Sequence, residues 1–132
     1  MEIAVTSGVI ATLIEEAAQA MPRECCGLLL GQGQTIVEAR PCANVHPQPE
    51  RHFEIDPVAL IAAHRAARSG AGPQVLGYYH SHPTGSAEPS ATDRAMTSGD
   101  GRVWAIAAGG MVRWWRDGAQ GFEALPTRII DG

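Results

Sequence analysis

The middle of the chain reads QVLGYYHSHPTGSAEPSATD from residue 74 to residue 93, and this stretch does most to decide the fold. The run from Gln74 to His80 is apolar and aromatic, which predicts a buried strand. A loop rich in Pro, Gly and Ser follows from Pro83 to Pro89, and Ser90 to Asp93 has the pattern of a helix start. The stretch therefore places a histidine pair at the end of a strand and an acid at the beginning of a helix.

On either side of this stretch, the chain alternates between strand and helix patterns. Apolar residues recur at helical spacing from Val9 to Ala18, and Asp56-Pro57 is a typical helix start whose helix ends at Gly70. Phe53 and Ile55 resume a strand pattern after a proline-rich loop from Ala43 to Arg51. The remaining predicted strands are Cys26–Gly31, Thr35–Cys42, Val103–Ala108, Met111–Arg116 and Phe122–Leu125. This order predicts an α/β (α+β) fold, a mixed sheet sandwiched by helices, and not a purely parallel sheet.

Composition limits the class of protein. With 132 residues, 45% hydrophobic and 18% charged, the chain has the size and balance of a single folded domain, which we expect to span residues 1–132. The net charge is −4 and basic residues form no cluster, so nucleic acid is not an expected partner. Apolar stretches are too short for a membrane span. The N-terminus has no secretory pattern, and three cysteines suggest reduced thiols, so we expect the cytoplasm.

The histidine pair and the following acid form a candidate metal site. Alternate residues of a strand point to the same face, so His80 and His82 direct both imidazoles one way, about 7 Å apart along the strand. The loop after His82 is long enough to bring Asp93 back over the strand end. Two imidazoles and one carboxylate satisfy zinc and leave its fourth position for water, as in catalytic sites. We therefore predict that His80, His82 and Asp93 bind a zinc ion, one per chain.

Two further residues are candidates for catalysis. Hydrolysis needs a group that collects and delivers protons, and Glu24 stands just before a buried strand. A hydroxyl beside the metal could stabilise a developing oxyanion, and Ser90 is in a suitable place. The residues alone leave other interpretations open, because Ser90 and Asp93 also form a helix capping box and a His-x-His pair can simply be packed. The other acids are Glu15, Glu16, Glu38, Glu50, Glu54 and Glu88, and the other histidines are His46, His52 and His64.

Taken together, these residues resemble the JAMM motif of the JAB1/MPN/Mov34 metalloenzymes. The resemblance consists of ECCGLLLG at residues 24–31, HSHP at residues 80–83, and then Ser90 and Asp93. The segment from Asn44 to Pro57 also looks like the corresponding loop of small bacterial members. Overall the resemblance extends from about Val5 to Ala108, and the last strands are less diagnostic.

This resemblance implies both a fold and an activity. It implies the MPN fold, which is similar to cytidine deaminase, with zinc on His80, His82 and Asp93. It also implies general acid/base catalysis by Glu24 and oxyanion stabilisation by Ser90. Family members hydrolyse isopeptide or peptide bonds at the C-terminal Gly-Gly of ubiquitin-like proteins, and small bacterial members resemble enzymes that process ubiquitin-like sulfur-carrier proteins. We therefore expect a metalloprotease that acts on a carrier of this kind.

One departure from the family pattern concerns specificity. The chain lacks the long insertions with which eukaryotic members hold ubiquitin chains, so no linkage preference follows from the resemblance. An alternative function is a non-catalytic MPN-type scaffold that binds protein partners, although a full ligand set favours the enzyme. A zinc deaminase is not favoured, because the Pro-Cys-x-x-Cys ligand pair is missing.

Overall fold

The computed structural model describes residues 2–132, so Met1, the first residue of the predicted domain, lies outside the described part. The helices are α1 (Ser7–Ala20), α2 (Pro57–Ser69) and α3 (Ala91–Ala95). The strands are β1 (Ile3–Thr6), β2 (Cys26–Gln32), β3 (Thr35–Cys42), β4 (Gln74–Ser81), β5 (Val103–Ala108), β6 (Met111–Gly118), β7 (Gly121–Ala124) and β8 (Thr127–Ile130). None of the helices in this described part is long and apolar enough to cross a membrane.

The eight strands form one mixed sheet in the order β7-β6-β5-β4-β2-β3-β1-β8. The pairs β1–β3, β1–β8 and β4–β5 are parallel, and the others are antiparallel. The predicted mixed sheet is therefore confirmed. β4, which contains His80 and leads directly into His82, lies in the interior of the sheet between β2 and β5. Backbone hydrogen bonds on both sides hold its end in place, which is a rigid base for a site.

Helices cover both faces of the sheet, as predicted. Side chains of a strand alternate between faces, and in β2 Leu29 packs with Val9 and Leu13 of α1, whereas Leu28 and Leu30 pack on the side of α2. All three leucines of β2 are at most 1% exposed. Truncating one such residue to alanine costs about 2–5 kcal/mol, so this double-sided strand contributes much of the core stability.

Local sequence explains where the two long helices begin and end. Thr6 caps α1, because its side-chain oxygen accepts a hydrogen bond from the Val9 N–H at 3.3 Å. Asp56 caps α2 in the same way, accepting from the Val58 N–H at 3.0 Å. Gly70 ends α2 with φ of +77°, a conformation that glycine adopts without strain. The predicted start and end of α2 are confirmed, and α1 extends a few residues beyond the predicted Val9–Ala18.

Three short segments differ from the prediction. The strands β1 and β8 pair with each other at one edge of the sheet, and neither was expected. In the segment predicted to resume a strand, only an isolated bridge between Asn44 and Ile55 forms. Phe53 and Ile55 are nevertheless buried, at 6% and 9% exposure, because they pack into the core on the side of α2. The alternating apolar residues therefore predicted burial correctly, but the strand that they also predicted does not form.

Candidate metal centre

The two histidines lie at the C-terminal end of β4, in the middle of the sheet. His80 is the second-last residue of β4, stands opposite Cys26 of β2 and Ile106 of β5, and is 1% exposed. His82 follows the last residue of β4, and its backbone N–H donates to the Ala107 carbonyl at 2.9 Å. The neighbouring strands therefore fix the backbone at both histidines.

The third residue, Asp93, is held by the first turn of α3. Ser90 is the N-cap residue, and its Oγ accepts a hydrogen bond from the Asp93 N–H at 3.0 Å. In return Oδ2 of Asp93 accepts from the Ser90 N–H at 2.9 Å, which completes a capping box. Asp93 is 3% exposed, and its carboxylate faces the histidines. The predicted cap and the predicted proximity to the histidines are thus present together.

The structure brings the predicted ligand set to one point. Nε2 of His80 lies 3.1 Å from Nε2 of His82, and each of these nitrogens lies 3.1 Å from the carboxylate of Asp93. Across residues 2–132, no other set of three His, Cys, Asp or Glu side chains brings its ligand atoms this close together. His46, His52 and His64 lie outside this group.

The hydrogen bond at Nδ1 of His82 shows which nitrogen of this ring is free to bind a metal ion. Nδ1 of His82 lies 2.7 Å from the Ser86 carbonyl oxygen, which can only accept, so Nδ1 carries a proton. In the neutral ring, Nε2 then has a lone pair directed at His80 and Asp93. Lone pairs this close repel each other unless a proton or a cation lies between them. Tetrahedral zinc with bonds of about 2.0–2.1 Å places its ligands about 3.4 Å apart, so separations of 3.1 Å fit the ion.

Aromatic residues enclose His80. Phe53 stacks on the imidazole with ring centroids 4.3 Å apart and an interplanar angle of 16°, and Trp104 meets it edge-on at 5.8 Å. Nδ1 of His80 is buried without a hydrogen-bond partner within residues 2–132, so on this side of the ring packing alone holds its orientation. Sequence reasoning had identified Phe53 as part of a strand pattern and of the segment that resembles small bacterial members, and not as a contact of His80. Its position after a histidine-containing loop gave no signal for this contact.

Burial and pairing affect the protonation of the three residues differently. Burial lowers the pKa of His80 below its ordinary value, which favours the neutral, ligating ring. Burial also opposes protonation of His82, but hydrogen bonds to Asp93 and the Ser86 carbonyl raise its pKa overall. Burial works against ionisation of Asp93, yet hydrogen bonds from His80 and from the protonated ring of His82 bring its pKa well below the usual range. Asp93 therefore remains a carboxylate near neutral pH.

Glu24 lies two residues before β2 and is 7% exposed. Its backbone N–H donates to the Pro49 carbonyl at 2.7 Å, and its carbonyl accepts from Nδ2 of Asn44 at 3.0 Å. Burial raises the pKa of its carboxyl group to about 7, with His82 lowering it and Asp93 raising it by smaller amounts. A carboxyl group with this pKa exists in both protonation states near neutral pH, as a proton-transfer group requires.

Glu24, His82 and Ser90 all line one polar cleft of about 560 Å³. Glu50 and Arg51 form part of one wall, on the proline-rich loop, and residues 83–90 form another. Trp115 supports this second wall, since its indole N–H donates to the Ala87 carbonyl at 3.1 Å. The structure therefore brings the predicted catalytic candidates into the cleft that reaches His82.

Asn44 is a residue that sequence reasoning missed as part of the site. Its side-chain amide donates to the Glu24 and His52 carbonyls, each at 3.0 Å. Its Oδ1 accepts from the His46 and Glu54 N–H groups at 3.1 and 3.0 Å. These four hydrogen bonds fasten the proline-rich loop to Glu24. An asparagine in a loop without periodicity was the available signal, and it is a weak one.

Comparison with known families gives a match over most of the chain. A family model described as prokaryotic homologs of the JAB domain matches residues 6–117. This range includes every residue of the metal cluster and of the cleft described above.

Two relatives of known description share this region. The chain is 40% identical over 94 residues to the desampylase of Haloferax volcanii, covering 70% of this chain and 67% of that protein. It is also 40% identical over 83 residues to a probable TtuB-protein conjugate cleaving protease of Thermus thermophilus, covering 63% of this chain and 52% of the relative. The matched region thus spans about two thirds of the first relative and about half of the second.

Solved structures agree on the fold. A protein from Desulfitobacterium hafniense superposes with a TM-score of 0.80 at 25% identity, covering 98% of this chain and 94% of its own. A JAB1/MPN domain protein from Archaeoglobus fulgidus superposes with a TM-score of 0.62 at 19% identity, covering 96% and 97%. The MPN fold expected from the sequence is therefore confirmed.

Proposed function

The chain belongs to the family of prokaryotic homologs of the JAB domain, and we propose that it is a zinc-dependent isopeptidase or peptidase. Its substrate would be the C-terminal Gly-Gly of a ubiquitin-like or sulfur-carrier protein, cleaved from whatever follows it. The observation that carries the proposal is the convergence of His80, His82 and Asp93, with donor atoms 3.1 Å apart beside a polar cleft. The descriptions of the two relatives support the same type of substrate.

His80, His82 and Asp93 would hold one zinc ion per chain. The three ligands carry a single negative charge when both rings are neutral, which is typical of catalytic zinc sites with an open position. When bound, zinc supplies a Lewis acid that polarises a carbonyl group and makes water acidic near neutral pH. The chain itself supplies the orientation, because β4, the Ser86 carbonyl and the α3 cap fix each ligand before the metal arrives.

Glu24 would transfer the proton in this reaction. As a carboxylate it accepts a proton from the attacking water, and as a carboxylic acid it returns that proton to the leaving nitrogen. The pKa of about 7 makes both states accessible near neutral pH. Asn44 and Pro49 hold the backbone of Glu24 from both sides, so its carboxyl group stays at the cleft. These contacts make Glu24 a better candidate than the exposed acids on the cleft rim.

Ser90 would donate a hydrogen bond to the oxygen of the scissile carbonyl. Its Oγ acts as the acceptor in the α3 cap, which leaves its own hydrogen free to donate into the cleft. The capping role and the catalytic role are therefore compatible, although the sequence had presented them as alternatives. A well-placed donor of this kind accelerates acyl transfer by about 10²-fold or more.

The proposal is tested by measuring cleavage after the Gly-Gly end of a ubiquitin-like substrate. Zinc-loaded protein should release the C-terminal extension from a ubiquitin-like protein that ends in Gly-Gly followed by a short peptide, and chelation should stop it. Glu24→Gln should abolish release, and Glu50→Gln, in the same cleft but exposed, should leave it within a few fold. Equal activity of zinc-loaded wild type and Glu24→Gln would refute the assigned chemistry.

The alternative function, a non-catalytic scaffold, leaves the metal cluster unexplained. A protein that only binds partners has no need for buried, converging lone pairs beside a carboxyl group with a raised pKa. Such buried polar groups cost stability, and they are retained mainly where function needs them.

We also propose that the protein works in a reducing compartment such as the cytoplasm, and that residues 1–132 form one domain. The three cysteines are free thiols, including the buried Cys25 and Cys26. One sheet takes strands from both ends of the chain, which supports a single domain. The net charge of −4 gives no attraction to nucleic acid.

A further inference from the structure

A second pocket adjoins the polar cleft, and the two share His82 and Pro83. We propose that this pocket, of about 280 Å³, receives an uncharged aliphatic chain attached to the nitrogen that leaves during cleavage. We call it the apolar pocket. The proposal rests on the proposed hydrolytic function and adds the chemistry of the released group.

The walls of the apolar pocket come from α1 and from the turn between β5 and β6. Ile14 and Ala18 lie four residues apart on one face of α1, next to the stripe that packs into the core, and Met21 follows the last residue of the helix. Across from them, Met111 follows the tight turn at Gly109 and Gly110. The two methionines are 53% and 50% exposed, so they border the opening and their flexible side chains can adapt to a ligand.

The turn between β5 and β6 carries no side chains at its two central residues. Gly109 and Gly110 have φ of +61° and +78°, and Ala108 pairs with Met111 across them, which makes a two-residue hairpin turn with both central residues in the left-handed region. A Cβ at either position would meet no atom within 4 Å. Glycine is therefore needed here for backbone conformation and leaves the mouth of the pocket open.

The lining contrasts in charge with the cleft. The apolar pocket is lined by Ala, Ile, Met, Gly, Pro, Ser81 and His82, and none of its lining residues is Asp, Glu, Lys or Arg. The cleft carries Glu24, Glu50, Glu88 and Arg51. A charged substrate group would lose its hydration in the apolar pocket without gaining a partner, whereas methylene groups gain free energy there.

The proposed substrate determines which side of the scissile bond this pocket serves. A Gly-Gly end has no side chains, so it cannot fill an apolar pocket beside a metal ligand. Of the groups next to the scissile bond, the one on the other side can then supply the chain that fills the pocket. Two sources have the same aliphatic chemistry, namely the butylene stem of a lysine in an isopeptide bond and the apolar side chain of a residue that follows the second glycine.

Methionine methyl groups provide a test that needs no turnover. Zinc-loaded Glu24→Gln protein with ¹³C-labelled methionine methyl groups is titrated with three probes: acetyl-Gly-Gly-Met-amide, acetyl-Gly-Gly-Asp-amide and acetyl-Gly-Gly joined to Nζ of acetyl-lysine-amide. We expect the Met21 and Met111 signals to shift with the Met probe, the isopeptide probe or both, and not with the Asp probe. Met96, which is 45% exposed and lines a different pocket, is the internal control. Which probe shifts the signals identifies the source of the chain.

Absence of shifts at Met21 and Met111 with every probe would overturn the proposal, as would equal shifts with the Asp probe. These outcomes do not depend on hydrolysis, so they are distinct from failure of the proposed enzymatic activity. A variant gives a second test: Ala18→Arg places a cation at the pocket, and Ala62→Arg on the exposed face of α2 is the matched control. Binding of the Asp probe relative to the Met probe should rise at least about tenfold in Ala18→Arg alone. An unchanged ratio would contradict the pocket assignment.

Discussion

Replacing Glu24 by Gln should stabilise the metal-free protein while it abolishes hydrolysis. In the folded protein, burial raises the pKa of this carboxyl group from 4.5 to about 7. Between these values the folded state binds more protons than the unfolded state, so the stability of the wild type falls as pH rises through this window. A difference of about 2.5 pKa units corresponds to about 3 kcal/mol of unfavourable ionisation, present in full above pH 7. Gln has nearly the same shape and does not ionise.

The assay is urea unfolding of chelator-treated wild type and Glu24→Gln from pH 4 to pH 8.5. We expect similar free energies of unfolding near pH 4 and an advantage for the variant that grows to about 3 kcal/mol above pH 7. Glu50→Gln, which removes an exposed carboxyl group of the same cleft, is the control and should show no such growth. A constant difference across the pH range, or a variant less stable at pH 8, would refute the claim that Glu24 is held in an unfavourable, poorly hydrated environment. Stabilisation with full activity would refute its catalytic role.

Three further predictions concern the residues around the metal. Zinc affinity should fall about tenfold per pH unit below the raised pKa of His82, because zinc must displace the proton from this ring. Competition with a chromophoric chelator measures the affinity at each pH. A zinc affinity that does not change with pH would exclude His82 as a ligand. Ser90→Ala should lower kcat by about 10²-fold and stability by about 1 kcal/mol, whereas Ser90→Thr should retain most of both; equal kcat in all three proteins would remove Ser90 from the mechanism. Phe53→Leu should weaken zinc binding about tenfold, because Phe53 packs against the His80 ring. Phe122 contacts Trp104 and not His80, so Phe122→Leu is the control and should leave zinc binding unchanged. Equal zinc affinity in the two variants would show that stacking does not orient the ligand.

The parts of the fold that could be predicted from sequence are those with strong local signals. Asp56-Pro57 and Gly70 marked both ends of α2, because a cap, a fixed φ and a left-handed residue act within a few residues. Two neighbouring strands at one side of the sheet were not predicted. β1 and β8 are four residues each and lie at opposite ends of the chain, so their pairing depends on contacts that no local pattern reports.

The metal cluster was predictable in its members and not in its supports. The spacing of His80, His82 and Asp93, with a proline-rich loop between them, is a sequence feature, as is the capping box. Asn44 and Phe53 act through tertiary contacts with Glu24 and His80, and those partners are distant in the chain. Sequence periodicity describes which face a residue occupies, and it does not describe which side chain it meets there.

Zinc content after dialysis tests the central claim most directly. Wild-type protein and Asp93→Asn are loaded with zinc, dialysed against metal-free buffer at pH 7.5 and analysed by elemental spectrometry. Asn is close in shape to Asp but removes the negative charge from a centre where all three donor atoms lie 3.1 Å apart. We predict one zinc per wild-type chain and close to none in the variant. Wild type without zinc, or a variant that retains as much as wild type, would contradict the account.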